Sequence, residues 1–243
     1  MEIQVAVAKI GKYATSESGD TLEMIERPHG GLSLALVDGQ RSGKAAKTIS
    51  NIVARKVIAL LGEGVRDGAA ARAAHDYLYA HRGGKVSATL NIVSVDMETK
   101  TLVISRNSHA PVLMFDGAGT LTLLDDPSPP VGVHRNTKPQ IHEFPLALGM
   151  IAVVFTDGIS GAGERYQDQI DVSTFITELY ECYHDAEQIA QPIADALLNE
   201  AVRRDQGRPT DDISVLVLAV VDREIDEVRR MNLQLPIPPL YRP

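Results

Sequence analysis

Apolar and polar positions alternate at the start of the chain. Ile3, Val5 and Val7 are interleaved with Gln4, Ala6 and Ala8, the period of a half-buried strand. A polar turn over residues 15–20 precedes a second strand expected at Thr21–Glu26, which Pro28-His29-Gly30-Gly31 ends. An apolar run, Leu32 to Val37, then delivers a carboxylate, Asp38, into a glycine, Gly39. Beyond it Ala45, Ile49, Ile52, Val53, Val57, Leu60 and Leu61 recur at helical spacing. Ser42 or Gly43 can start that helix, and Gly62 and Gly64 stop it. Asp67 is placed to cap a second helix that buries Ala70, Ala74, Tyr77 and Leu78 and ends at Gly83-Gly84.

A dense strand block follows. Ala88–Val95 and Thr101–Arg106 flank a five-residue turn, and Val112–Phe115 and Thr120–Leu124 flank Asp116-Gly117-Ala118-Gly119, so both pairs read as hairpins. Pro127, Pro129 and Pro130 exclude a regular element from the loop 125–133. Strands are expected again at Gln140–Phe144 and Met150–Phe155. Residues 159–210 are mostly helical and polar, with Ile189, Ile193, Ala196, Leu197 and Ala201 as the clearest apolar face and Asp205–Pro209 as its break. The last strand is Ile213–Val221. The tail, 222–243, carries a short helix expected around Ile225–Met231 and a proline-rich end, Pro236–Pro243. Antiparallel strands with segregated helices make an α+β class. About nine or ten strands are too many for one flat sheet, so two packed sheets are expected.

Composition narrows the function classes. The chain has 243 residues, 44% of them hydrophobic, enough for one core, so a single domain over 1–243 is expected. The net charge is −8 and the basic residues are scattered, which argues against nucleic-acid binding. The single cysteine, Cys182, makes no intrachain disulfide and no cysteine-based zinc site, and fits a reducing compartment. The N-terminus lacks the layout of a signal peptide. The longest apolar run, 213–221, is too short to cross a bilayer. A cytoplasmic protein with no membrane partner is the expectation.

The candidate chemistry lies in acids at strand ends. Asp38 and Asp157 each follow an apolar run and precede a glycine, whereas Asp211 precedes its strand. If the last strand is antiparallel to the other two, all three carboxylates reach one edge, and Asp20 can join them from a loop. An acid at the mouth of a buried strand is costly without a positive partner. Oxygen-only ligands suit hard cations such as Mg²⁺ or Mn²⁺, and two such ions can activate a water and clamp a phosphoryl group. Each Asp-Gly pair is, by itself, also readable as a tight turn.

Taken in order, Ser18-Gly19-Asp20, Leu36-Val37-Asp38-Gly39, Phe155-Thr156-Asp157-Gly158 and Thr210-Asp211-Asp212-Ile213-Ser214 resemble the metal-dependent protein serine/threonine phosphatases, the PPM family. Ser87-Ala88-Thr89-Leu90 and Asn107-Ser108-His109-Ala110-Pro111 resemble its bacterial SpoIIE/RsbU/RsbX branch. The resemblance implies an αββα four-layer sandwich, with a core over about 3–221 and a variable flap at 159–210 that meets the protein substrate. It implies two divalent cations, Mn²⁺ or Mg²⁺. Asp38 would bridge both, the Gly39 carbonyl would bind one, Asp157 and Asp211 would hold the other, and Asp20 would act directly or through water. Asp38, Asp157 and Asp211 are thus the implied catalytic set. The substrate would be a phosphorylated protein, with an anti-sigma-factor antagonist in partner-switching signalling as the candidate, and the enzyme a monomer or weak homodimer. A catalytically weak or silent module of the same fold, and a different two-metal phosphoesterase, are the alternatives.

Two departures stand out. Eukaryotic members commonly carry His directly after the Asp-Gly pair, where this chain has Gln40, which cannot titrate. No clear match exists for their phosphate-gripping Arg, and Arg41 reads as an exposed, solvated side chain. Other residues take structural readings: His109 as a turn histidine, because no carboxylate motif adjoins it; Asp212 as a capping or pairing group; Cys182 as a buried small hydrophobe; Ser42 as a helix cap.

Overall fold

Among the residues that the computed structural model describes, 1–223 and 227–237, ten strands form two antiparallel five-stranded sheets. The first sheet runs β1 (Glu2–Ile10), β10 (Ile213–Val221), β9 (Ile151–Phe155), β6 (Val112–Phe115), β7 (Leu121–Leu124). The second runs β2 (Asp20–Glu26), β3 (Leu32–Gly39), β4 (Ala88–Asp96), β5 (Thr101–Asn107), β8 (Gln140–Pro145). Helices α1 (Gly43–Gly62) and α2 (Asp67–Arg82) cover the second sheet. After the single turn α3 (Asp157–Ser160), helices α4 (Val172–Tyr183) and α5 (Ala190–Arg204), within the 159–210 region, cover the first. The α+β reading and the αββα sandwich are what the chain adopts.

Side-chain alternation builds these four layers. On β3, Leu34 and Leu36 face the opposite sheet while Ala35 and Val37 face the helices. On β10, Leu216, Leu218 and Val220 face inward, and Val215, Val217 and Ala219 meet α5 and its surroundings. A strand sandwiched between a sheet and a helix layer is apolar on both faces, which is why these segments read as unbroken apolar runs. Each fully buried leucine or valine removed from water in this way contributes about 1.5–3 kcal/mol.

Details differ from the sequence reading for identifiable reasons. Ala46, not Ala45, sits on the buried face of α1, because the helix start is pressed onto Gly39 and Gly19, where a larger contact has no room. Asp67 is the first residue of α2 rather than its cap. Its carboxylate pairs with Arg27 at 2.9 Å and accepts from Ser94, so it ties α2 to the second sheet. Tyr77 is exposed and stacks on His81, while Ala71 and His75 complete the packed face of α2. Cys182 is exposed; Ile176, Leu179, Tyr180 and Tyr183 take the inward stripe of α4, and Cys182 falls beside it. Of the tail helix expected around Ile225–Met231, residues 227–231 carry no regular element, and 225–226 lie outside the described residues. Among the described residues no helix is long and apolar enough to cross a membrane.

Candidate metal centre

Strand pairing brings the acids together. In the β2–β3 ladder Asp20 lies directly opposite Asp38. In the other sheet β9 and β10 are antiparallel, so Asp157, just past β9, and Asp211, just before β10, reach the same edge. Asp38, Asp157 and Asp211 line one cleft of about 400 Å³, together with Lys12, Arg41 and His109. A cleft of similar volume, about 390 Å³, at the opposite end of the first sheet holds Tyr180, His184 and Asp185. Size therefore does not single out the site; the convergent acids do.

Asp20 sits behind this cleft with no exposed surface. Its Oδ2 accepts from Ser214 Oγ at 2.6 Å and Thr156 Oγ1 at 3.1 Å, while its Oδ1 is buried without a hydrogen-bond partner. Its backbone carbonyl accepts from both Lys9 Nζ (2.5 Å) and Lys47 Nζ (2.7 Å). Burial raises the Asp20 pKa, against the lowering effect of the Ser214 hydroxyl and Lys9. Burial, followed by repulsion from Asp20 and Asp157, pushes Asp38 up to about 9. Burial and then Asp211 raise Asp157.

These residues fit a pair of hard divalent cations. The donors are all oxygen, one buried carboxylate oxygen has no partner, and the acids repel one another until a cation meets them. Among the described residues no group of three or more His, Cys, Asp and Glu side chains already stands in a closed metal cage.

The two strand-end glycines are not turn residues. Neither Gly39 nor Gly158 has a positive φ. A Cβ on Gly39 would stand 2.1 Å from the Ala46 carbonyl oxygen, and one on Gly158 would stand 2.1 Å from that of Asp212. Each Asp-Gly pair is therefore a place where one backbone crosses another at close quarters. Asp212 lies behind Asp211 and is buried; its carboxylate accepts from the backbone N–H of Lys12 (2.9 Å) and Gly19 (2.8 Å). That anchors the loop 11–19, which carries Lys12 to the cleft. Gln40 is committed elsewhere: its Oε1 accepts from Ser87 N at 3.2 Å. Arg41 is exposed, with φ 79°. Ser42 occupies the N-cap position of α1 without a side-chain cap bond.

Sequence reasoning missed four contributors. Thr156 directly precedes Asp157 and Ser214 stands two residues after Asp212, and these hydroxyls inside the acidic motifs were the available signal. Lys12 had none, because its place depends on the fold of a loop. His109, expected to be a turn histidine, is exposed at the cleft mouth, and its positive charge acts on Asp157.

Comparison with known proteins adds lineage. Residues 28–221 match the family model described as Stage II sporulation protein E (SpoIIE). The chain is 20% identical over 216 residues to Stage II sporulation protein E of Priestia megaterium, covering 88% of this chain and 36% of that protein. It thus spans about a third of the curated relative. Among solved structures it is similar to the PP2C phosphatase domain with a regulatory fragment of SpoIIE from Bacillus subtilis (TM-score 0.77, 19% identity, 92% of this chain and 64% of that one). It is similar to the RsbU and RsbW domains of Rv1364c from Mycobacterium tuberculosis (0.71, 17%, 90% and 60%). It is also similar to the catalytic domain of the serine threonine protein phosphatase PstP in complex with two manganese ions (0.67, 19%, 90% and 99%). At these identities the structural likeness concerns the fold, while the family model covers most of the chain. From its ordered motifs, its sandwich and that match, the chain belongs to the SpoIIE family.

Proposed function

We propose that this chain is a protein serine/threonine phosphatase that hydrolyses phosphoserine or phosphothreonine. The observation that carries the reading is the convergence of Asp38, Asp157 and Asp211 in one cleft, with Asp38 held far above the ordinary carboxylate range by burial and by neighbouring acids. Asp38, the Gly39 carbonyl, Asp157 and Asp211 would hold two divalent cations, Mn²⁺ or Mg²⁺, with Asp20 acting behind Asp38. Such ions supply an acidified water and neutralisation of phosphoryl charge. Asp20 and its two hydroxyl donors fix the Asp38 side of the site. Asp212, by bonding Lys12 N and Gly19 N, anchors the loop that brings Lys12 to the cleft. Lys12 and Arg41 offer positive charge to an incoming phosphate at the mouth.

The branch resemblance favours a phosphorylated anti-sigma-factor antagonist as substrate, within partner-switching signalling. We assign the phosphatase unit to residues 3–221 of a single domain, and within 159–210 the stretch before α4 is the part that leaves the cleft edge and meets the substrate. A cytoplasmic monomer or weak homodimer fits this role. Hydrolysis of a phosphoserine protein with and without Mn²⁺ tests the reading, which predicts activity lost on chelation and in Asp157→Asn. Activity indifferent to both would sink it. Gln40, tied to Ser87 and unable to titrate, favours the alternative of a catalytically silent binding module. Calorimetry separates the two, since a silent module takes up no Mn²⁺.

A further inference from the structure

We propose that His109 donates the proton to the departing seryl or threonyl oxygen, a role that rests on the phosphatase reading above. The residue after the Asp-Gly pair cannot do this: Gln40 has no titratable proton, and its amide oxygen is engaged by the Ser87 backbone. Among the described residues that line the cleft, His109 carries the imidazole. Among the described residues no hydrogen bond or ion pair engages its ring, and none joins it to Asp38, Asp157 or Asp211, although it acts to lower the Asp157 pKa.

The turn is built to present the ring. Arg106 is 1% exposed. Among the described residues its polar partners are carbonyls: Nη1 donates to those of Ser108 (2.8 Å) and Ala110 (3.4 Å), on either side of His109, and Nη2 donates to that of Asp126. Ser108 Oγ accepts from Ala110 N at 3.1 Å. Asn107 Nδ2 donates to the carbonyls of Pro129 and Lys138, which pins the loop that brings Pro130 to the same cleft. Ser108 and Ala110 are buried, so the backbone is clamped on both sides and only the imidazole leaves the turn. A buried charged group spent on backbone carbonyls is costly; here it holds one side chain at the mouth of a cleft. The cleft's other charged groups, Lys12, Arg41, Asp38, Asp157 and Asp211, surround the same space.

The step balances. A water oxygen forms the new bond to phosphorus, the bond from phosphorus to the seryl or threonyl oxygen breaks, and the imidazolium proton passes to that oxygen as it leaves. The proton released by the attacking water restores the imidazolium, so the products are the free hydroxyl and inorganic phosphate. A positioned general acid is worth 10²–10⁴-fold, and a leaving group that departs unaided has little use for one.

The test compares a phosphoserine protein with p-nitrophenyl phosphate, in Mn²⁺, for the wild type and His109→Gln. We expect kcat for the phosphoserine protein to fall about 100-fold and that for p-nitrophenyl phosphate to fall less than about threefold. Mn²⁺ uptake by calorimetry should be unchanged, and added imidazole should restore part of the activity of His109→Gly. Equal losses on both substrates, unaltered turnover of the phosphoserine protein, or lost Mn²⁺ uptake would each overturn the assignment. A wild type that does not hydrolyse the phosphoserine protein overturns the phosphatase reading itself, and this step with it.

Discussion

Asp38→Asn should make the metal-free protein more stable while destroying its response to metal. In the folded, metal-free protein Asp38 titrates at about 9, because it is buried and faces Asp20 and Asp157; in the unfolded chain it reverts to an ordinary aspartate. Between the two pKa values the folded state binds a proton that the unfolded state does not. Stability therefore falls as pH rises from about 4 towards 9. At pH 7 roughly three of those units have been traversed, and at about 1.4 kcal/mol per unit the carboxylate costs at most about 4 kcal/mol. The acids share this repulsion, so the figure is a ceiling. Asparagine keeps the shape of the protonated acid and has nothing to ionise. Denaturing the chelated proteins in urea at pH 5, 7 and 9 should show the variant ahead by at most about 1.6 kcal/mol at pH 5, further ahead at pH 7 and furthest at pH 9. Mn²⁺ should then raise the wild-type midpoint and leave that of the variant almost unmoved. A variant no more stable than wild type at pH 7, or one with the same pH slope, would refute the claim that repulsion at Asp38 dominates the empty site.

Further predictions follow from the contacts around it. Gly39→Ala and Gly158→Ala each force a methyl to 2.1 Å from a backbone oxygen; both should lose about 3 kcal/mol or more in urea denaturation, since backbone does not yield as a side chain tip does. Asp211→Ala should abolish Mn²⁺ uptake in calorimetry at little cost in stability. Its neighbour behaves differently: Asp212→Ala strands the N–H groups of Lys12 and Gly19 and should cost about 2–3 kcal/mol. Arg106→Met removes the clamp on both sides of His109. We expect faster amide hydrogen exchange across 107–110 and a larger loss of turnover on a phosphoserine protein than on p-nitrophenyl phosphate.

Much of this protein is written locally. Alternation, helical spacing and glycine or proline stops mark the strands and helices α1, α2 and α5, because each buried face repeats with the period of its own element, while α4 shows only as part of a broadly helical 159–210. The acids too are visible, since Asp38 and Asp157 end apolar runs and Asp211 opens one. Local pattern also misled where a residue serves two elements at once: Asp67 looks like a cap and is a partner for Arg27, and Gly39 and Gly158 look like turns and are backbone crossings. What only the tertiary structure decided is which groups meet. The Asp20–Asp38 register, the hydroxyls of Thr156 and Ser214 on Asp20, the anchoring of Lys12 by Asp212 and the tie from Arg106 to the Asp126 carbonyl all join residues that no single element spans. Hydrophobic periodicity is a property of one segment facing one core. A site is a property of several segment ends whose distances depend on how two sheets and their loops close, and no single segment carries that information.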